Sequence, residues 1–159
     1  MSEVEFEGVQ PRSLAKGLVA GLIGGLVGTL AKTLAERMFP PRTHGEPEPP
    51  EVAAEHVAGH ALDADTKAIA AEGIHWGFGA AVGAAYGALA EYYPAATSKD
   101  GASFGMALEA LTHESALPAL GLSAEPENQT ARERASEMTS HVVYGVTTEF
   151  VRSVVRKII

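Results

Sequence analysis

Cysteine is absent from the 159 residues, and basic residues are outnumbered by acidic ones. Without cysteine the chain forms no disulfide bond, carries no thiolate nucleophile and offers no cysteine ligand to a metal. The 12 Lys and Arg against 20 Asp and Glu give a formal net charge of -8. Because nucleic-acid binding needs basic patches, this balance argues against a nucleic-acid partner.

Charge is also missing from one long stretch, Gly73–Ala90. Within it, Gly79, Gly83 and Gly87 are four residues apart and form one row along a helix. Each glycine in a water-exposed helix costs about 1 kcal/mol relative to alanine, whereas lipid enforces the backbone hydrogen bonds and tolerates glycine. A glycine row also admits a second helix at close distance. The stretch is therefore typical of a membrane-spanning helix inside a bundle.

A similar segment covers residues 14–34. Its part between Lys16 and Lys32 is uncharged and as a helix spans about 22 Å, so the two lysines must snorkel to match a hydrocarbon layer of about 30 Å. The preceding residues are acidic, unlike the basic start of a secretory signal peptide. Gly17, Gly21 and Gly25 form a matching glycine row in this segment. We predict that the helix packs through this row against the Gly73–Ala90 helix.

These features predict an all-α fold, a four-span transmembrane helix bundle. A polar tail over residues 1–12 precedes a single membrane domain over residues 13–159. An extra amphipathic helix over residues 51–72 follows a proline-rich break in the first loop, and it is too polar to cross a bilayer. The four predicted spans cover residues 14–34, 73–91, 101–122 and 135–155.

Four alternating spans bring ionisable residues from different helices to the same depth. Such residues cost about 2.5–3.5 kcal/mol each at the centre of a membrane helix, so they must find partners. A first polar cluster is predicted at one end, from His75, Glu109, His113, Glu114, Glu137 and His141. A second is predicted at the opposite end, from Lys16, Glu91, Glu149 and Arg152.

The first cluster has three interpretations. A structural network of hydrogen bonds and ion pairs would fix the register of the helices. Three imidazoles with a carboxylate also suit zinc or iron, and two of the histidines would suit a haem as axial ligands. Histidine and glutamate side chains would also serve as relays for protons or line a path for a solute.

A further pattern of residues runs from residue 75 to residue 152. It consists of His75, Tyr86, Ala90, Glu91, Pro94, Gly101, Gly105, His113, Pro118, Gly121, Leu122, Glu137, His141, Glu149 and Arg152. In this pattern the chain resembles the YagU-like family of bacterial inner-membrane proteins. The resemblance implies an integral inner-membrane protein and brings no enzymatic reaction with it. The higher Gly and Ala content and the acidic Glu109 and Glu114 depart from the family pattern.

We therefore interpret the chain as a multi-pass inner-membrane protein without enzymatic activity or a required cofactor. Its role would be structural or accessory, through glycine-rich helix packing, with lipid, other membrane subunits or a second copy as partners. Basic residues close to the spans favour cytoplasmic termini. Two alternatives stay open: a metal-binding or proton- or solute-conducting membrane protein, and a soluble four-helix bundle, which the mean hydropathy of +0.04 favours.

Overall fold

A computed structural model describes residues 11–159 of the chain. Within this range all regular structure is helical, which confirms the all-α prediction. The predicted polar tail lies almost entirely outside the described residues. The α-helices are α1 (Leu14–Met38), α2 (Pro49–Ala58), α3 (Ala64–Tyr92), α4 (Ala102–Leu111), α5 (Leu117–Ala119) and α6 (Ala131–Ile158). A π turn, Thr112–Ala116, joins α4 to α5, and 3₁₀ turns cover Pro94–Gly101 and Pro126–Asn128.

Local signals explain where the helices begin. The side chain of Ser13 accepts a hydrogen bond from the backbone of α1, and Asp63 does the same for α3. Thr130 and Glu133 form a reciprocal capping box at the start of α6. Each of these residues satisfies backbone N–H groups that have no partner inside the helix.

The predicted surface helix over residues 51–72 is wrong in its extent. Gly59 adopts a left-handed conformation (φ +73°) that ends α2, and Asp63 then caps a new helix. Residues 64–72 are therefore the first turns of the long α3. An ion pair of 2.8 Å between Glu55 and Lys67 connects α2 to α3.

Helix α1 packs against both α3 and α6, and α4 packs against α6. The two predicted glycine rows face each other across the α1–α3 contact, where a Cβ atom on Gly25 would lie 2.9 Å from the Cα atom of Gly83. Gly17 meets Gly87 at the other end of this contact, so α1 and α3 are antiparallel. Only a helix without side chains on this face can approach so closely.

Two more glycine contacts complete the bundle. A Cβ atom on Gly24 of α1 would lie 2.6 Å from the carbonyl oxygen of Thr148 in α6. Gly105 of α4 and Gly145 of α6 likewise meet backbone on the facing helix. Both pairs are antiparallel, so α1, α3, α4 and α6 alternate in direction, as the four-helix topology requires.

Large apolar side chains lie mainly on the outside of this bundle. Nine Leu, Val and Ile side chains of α1 are 37–52% exposed, from Leu14 to Leu34. The buried apolar side chains among the described residues are Ala20, Ala54, Ala71, Tyr86 and Tyr144. The interior therefore consists of small, aromatic and polar residues.

By length and composition, α1 is the one helix among the described residues that is apolar enough to cross a membrane. One such helix is weak evidence for a membrane protein, because the core helix of a soluble protein and a signal sequence have the same properties. Helix α1 differs from a soluble core helix in one respect, since only 39% of its apolar window is buried.

Candidate functional site

Glu137 lies at the centre of a buried group of side chains near the start of α6. Its Oε1 atom is 2.8 Å from Nη2 of Arg42 and 3.4 Å from Nδ1 of His113. Its Oε2 atom is 3.9 Å from Nδ1 of His141 and has no hydrogen-bond partner among the described residues. The Glu137 side chain is 4% exposed. We call Arg42, His113, Glu137 and His141 the Glu137 cluster.

The two imidazole rings in this cluster touch edge to face, with 4.8 Å between their centroids. Nδ1 of His141 lies 2.8 Å from the carbonyl oxygen of Glu137. Because a carbonyl oxygen only accepts hydrogen bonds, Nδ1 must be the protonated nitrogen, and Nε2 of neutral His141 keeps its lone pair. The rings are in direct contact, so a porphyrin does not fit between them in this arrangement.

His75 stands apart from the other two predicted histidines. Its Nε2 atom is 3.2 Å from the hydroxyl oxygen of Thr33 on α1. The close α1–α3 packing turns this face of α3 towards α1, whereas His113 of the π turn meets His141 of α6. The structure therefore brings together two imidazoles and a carboxylate in place of the predicted three-histidine cluster.

The other predicted members of the first cluster have different surroundings. Glu109 is 2% exposed, and its Oε2 atom has no hydrogen-bond partner within residues 11–159. Glu114 lies further out, where it forms an ion pair of 2.8 Å with Arg134. Lys32 and Glu36 pair with each other on α1, and the hydroxyl of Ser140 donates to Glu36 at 3.3 Å.

Arg42 is the member of the cluster that sequence reasoning missed. It lies in the proline-rich break after α1, where no helical spacing fixes the direction of a side chain. The break is held on α6 because Ser136 donates to the carbonyl oxygen of Phe39 and Arg132 donates to that of Pro40. The Arg132 guanidinium also covers the Phe39 ring at 4.8 Å. These contacts position the break so that Arg42 lies beside Glu137.

A cleft of about 370 Å³ leads from the loops to this cluster. Both Arg42 and Glu137 line it, together with Glu133 and parts of the loops between α1 and α2 and between α5 and α6. The Arg42 side chain is 20% exposed. Glu137 and Arg42 therefore form part of the cleft wall, whereas His113 and His141 do not line it.

Glu133 lines the same cleft but is already fully engaged. It accepts hydrogen bonds from the backbone and hydroxyl of Thr130, both at 2.9 Å, and from the hydroxyl of Thr43 at 3.0 Å. Its carboxylate is also 3.2 Å from Nδ1 of His44. The bonds to Thr130, and then those to Thr43 and His44, lower the pKa of Glu133 to about 2.

The opposite end of the bundle holds ion pairs, which we call the Glu91 cluster. Glu91 at the end of α3 pairs with Arg156 of α6 and accepts a hydrogen bond of 2.9 Å from the backbone of Ser13. The partner of Glu91 is therefore Arg156, which was not among the four predicted members of this cluster. The exposed side chain of Lys16 instead donates from its Nζ atom to the main-chain oxygen of Ile159.

Glu149 and Arg152 form the second part of the Glu91 cluster. Nε and Nη2 of Arg152 donate to the two carboxylate oxygens of Glu149 at 2.6 and 2.7 Å. The hydroxyl of Tyr86 on α3 donates to the same carboxylate at 2.7 Å. The predicted second cluster thus divides into two ion pairs, each with a guanidinium.

Residues 26–150 match the family described as "Protein of unknown function (DUF1440)". The chain belongs to this family. The DUF1440 match contains the whole Glu137 cluster, whereas Arg152 and Arg156 of the Glu91 cluster lie beyond it. Comparisons with curated proteins and with solved structures give no match.

Proposed function

We propose that the chain is an integral membrane protein of four spans with a structural or accessory role and without enzymatic activity. One observation carries this proposal, namely that large apolar side chains lie outside and glycine and polar residues lie inside. Nine apolar side chains of α1 are 37–52% exposed, and further exposed ones include Phe78 on α3, Met106 on α4 and Phe150 on α6.

Physical chemistry favours lipid as the solvent for such a surface. In water the hydrophobic effect drives leucine inwards, and exposed apolar patches of this extent mark membrane or protein contacts. In lipid there is no such drive, so helices associate through small residues and polar contacts. The glycine contacts of α1 with α3 and α6 are of this kind.

Helix length is compatible with spans formed by α1, α3 and α6, and the third span would consist of α4, the π turn and α5 in succession, over residues 102–119. Helices α3 and α6 have 29 and 28 residues, more than the ~20 that cross a bilayer. Helix α3 has a low hydropathy for a span because glycine, which fills its packing row, contributes little to it. We extend the proposal to a YagU-like protein of the bacterial inner membrane with both termini in the cytoplasm, on the resemblance and the basic residues near the spans.

A lysine on the outer face of α1 tests the proposal most sharply. Leu22 is 43% exposed near the middle of the helix. If it faces lipid, Leu22→Lys costs about 2.5–3.5 kcal/mol and lowers the amount of protein recovered from the membrane fraction. If it faces water, the substitution stays within about 0.5 kcal/mol.

Val57→Lys is the matched control, because Val57 is 85% exposed on α2, outside the proposed spans. We expect wild type and V57K in the alkali-washed membrane pellet, with L22K depleted from it. Recovery of wild type in the soluble fraction without detergent, or equal recovery of L22K and V57K, would contradict the proposal.

A further inference from the structure

We propose that His113, Glu137 and His141 bind a divalent first-row transition metal, for which Zn²⁺ is the reference ion. One ligand atom from each residue lies within 4.8 Å of the others. The residues come from the π turn and from α6, so folding of the bundle assembles the site. This inference goes beyond the structural role proposed above and stands independently of it.

The donor set fits such an ion. Two imidazoles and one carboxylate bind zinc in proteins and also suit iron(II), with open positions for water or another ligand. Oxygen-preferring Mg²⁺ and Ca²⁺ are disfavoured because two of the three donors are nitrogen. His113 lies in the π turn (Thr112–Ala116), a helical irregularity that is frequent at functional sites.

His141 is already oriented as a metal-binding histidine would be. Its Nδ1–H donates to the carbonyl oxygen of Glu137 at 2.8 Å. Metal-bound histidines almost always donate their second ring N–H to a carbonyl or carboxylate, which fixes the tautomer and the ring. Nε2 of His141 is left as the donor to a metal.

Glu137 supplies the independent observation. Its Oε2 atom is buried without a hydrogen-bond partner among the described residues, although the side chain is 96% removed from solvent. A buried acceptor without a partner loses its hydrogen bonds to water and gains none in return. A cation between Glu137 and the two imidazoles would satisfy this atom.

Arg42 occupies the solvent side of this arrangement. It lies 2.8 Å from Oε1 of Glu137 and lines the cleft that leads to the cluster. Its side chain is partly exposed, so it can leave Glu137 for water as an ion enters. Arg42 is thus a competing cation, and its removal should strengthen metal binding.

A second group of possible ligands, His44, Glu46 and Glu133, lies on the surface near the cleft. The Glu133 carboxylate there is already engaged by Thr130 and Thr43, and the His44 side chain is 65% exposed. We assign the metal to the Glu137 cluster, and this second group provides a control.

The experiment is a titration of detergent-purified, chelator-treated protein with Co²⁺, followed by displacement with Zn²⁺. Binding to imidazole gives Co²⁺ a visible absorption band, so the spectrum reports the ligands directly. We expect one Co²⁺ per chain in the wild type and displacement by Zn²⁺. Glu137→Gln and His113→Gln should weaken binding by more than about 100-fold, because even outer partners of a metal ligand contribute 10–100-fold.

Three further variants complete the design. Arg42→Gln should bind Co²⁺ more tightly than the wild type, which keeps the test valid even if a ligand variant fails to fold. His44→Gln and His75→Gln should match the wild type. The proposal is overturned if wild type and R42Q bind no metal, if E137Q binds as the wild type does, or if H44Q abolishes binding.

Discussion

The two ends of the bundle carry the same kinds of ionisable residue but use them differently. In the Glu91 cluster each carboxylate faces its own guanidinium, Glu91 with Arg156 and Glu149 with Arg152. In the Glu137 cluster one carboxylate faces Arg42 and two imidazoles, and one of its oxygens has no hydrogen-bond partner among the described residues.

This difference separates groups that hold the fold from groups that are available to a ligand. A charge pair with complete hydrogen bonding contributes to the fold by itself, and removal of one partner leaves a buried charge. A carboxylate with an unused acceptor atom is not optimised for stability. Loss of a charge in the Glu91 cluster is thus expected to lower the stability of the fold, whereas loss of the Glu137 charge is expected to change it little.

The largest expected effect comes from a substitution that forces α1 and α3 apart, because the packing of these two helices supports both ends of the bundle. Gly83→Leu places a side chain where even a Cβ atom would lie 2.8 Å from the backbone nitrogen of Gly25, so α1 and α3 cannot close. We expect loss of the folded, monodisperse protein in size-exclusion chromatography. Gly77→Leu on the same helix is the control, since a Cβ atom there meets nothing within 4 Å. Normal behaviour of G83L would contradict the packing.

The next effect concerns the Glu91 end. Glu91→Ala removes the carboxylate that pairs with Arg156, whose side chain is 11% exposed. Removal of one partner of a buried pair costs about 3–5 kcal/mol, so the thermal or denaturant midpoint in detergent should fall clearly. A cost below about 1 kcal/mol would show that this pair does not hold the bundle.

The matching change at the Glu137 end should have little effect on stability. Glu137→Gln keeps the shape of the side chain and removes a buried negative charge, while Arg42 can turn to solvent. We expect a change below about 1 kcal/mol in the same unfolding assay. If E137Q destabilises the protein as much as E91A does, the two ends do not differ and the comparison fails.

A single hydrogen bond at the Glu91 end should be measurable as well. Tyr86→Phe removes the hydroxyl that donates to Glu149 at 2.7 Å and leaves the stacking on Phe104 in place. A hydrogen bond to a charged group is worth about 1.5–3 kcal/mol. The measurement is the unfolding midpoint of Y86F compared with that of the wild type. An unchanged midpoint would mean that Arg152 alone, and not the Tyr86 hydroxyl, stabilises the Glu149 carboxylate.

The stability of the protein should also depend on pH through Glu133. Its pKa in the folded protein is about 2, below the ordinary value of 4.5. The stability it provides is therefore present above pH 4.5 and is lost as the pH falls from 4.5 towards 2. In Glu133→Gln the melting temperature should change less with pH over this range than it does in the wild type. Glu127→Gln, at an exposed position near the start of α6, is the control and should follow the wild type.

The sequence predicted the features that depend on spacing along a helix. Four-residue spacing placed Gly17, Gly21 and Gly25 on one face, and the alternating topology placed the polar residues at two levels. It could not predict that His75 turns towards Thr33, because helix rotation is set by packing between helices. Arg42 was also beyond prediction, since the direction of a loop side chain depends on tertiary contacts such as that of Ser136 with Phe39.

The glycine contacts have a consequence for how the chain tolerates change. Every other residue is larger than glycine, so the positions that face a neighbouring backbone admit no conservative replacement. Outward positions such as Leu22 accept any side chain that suits the surrounding solvent. A saturation-mutagenesis profile of α1 should therefore show narrow minima at Gly17, Gly21, Gly24, Gly25 and Gly28, and permissive positions on the outward face.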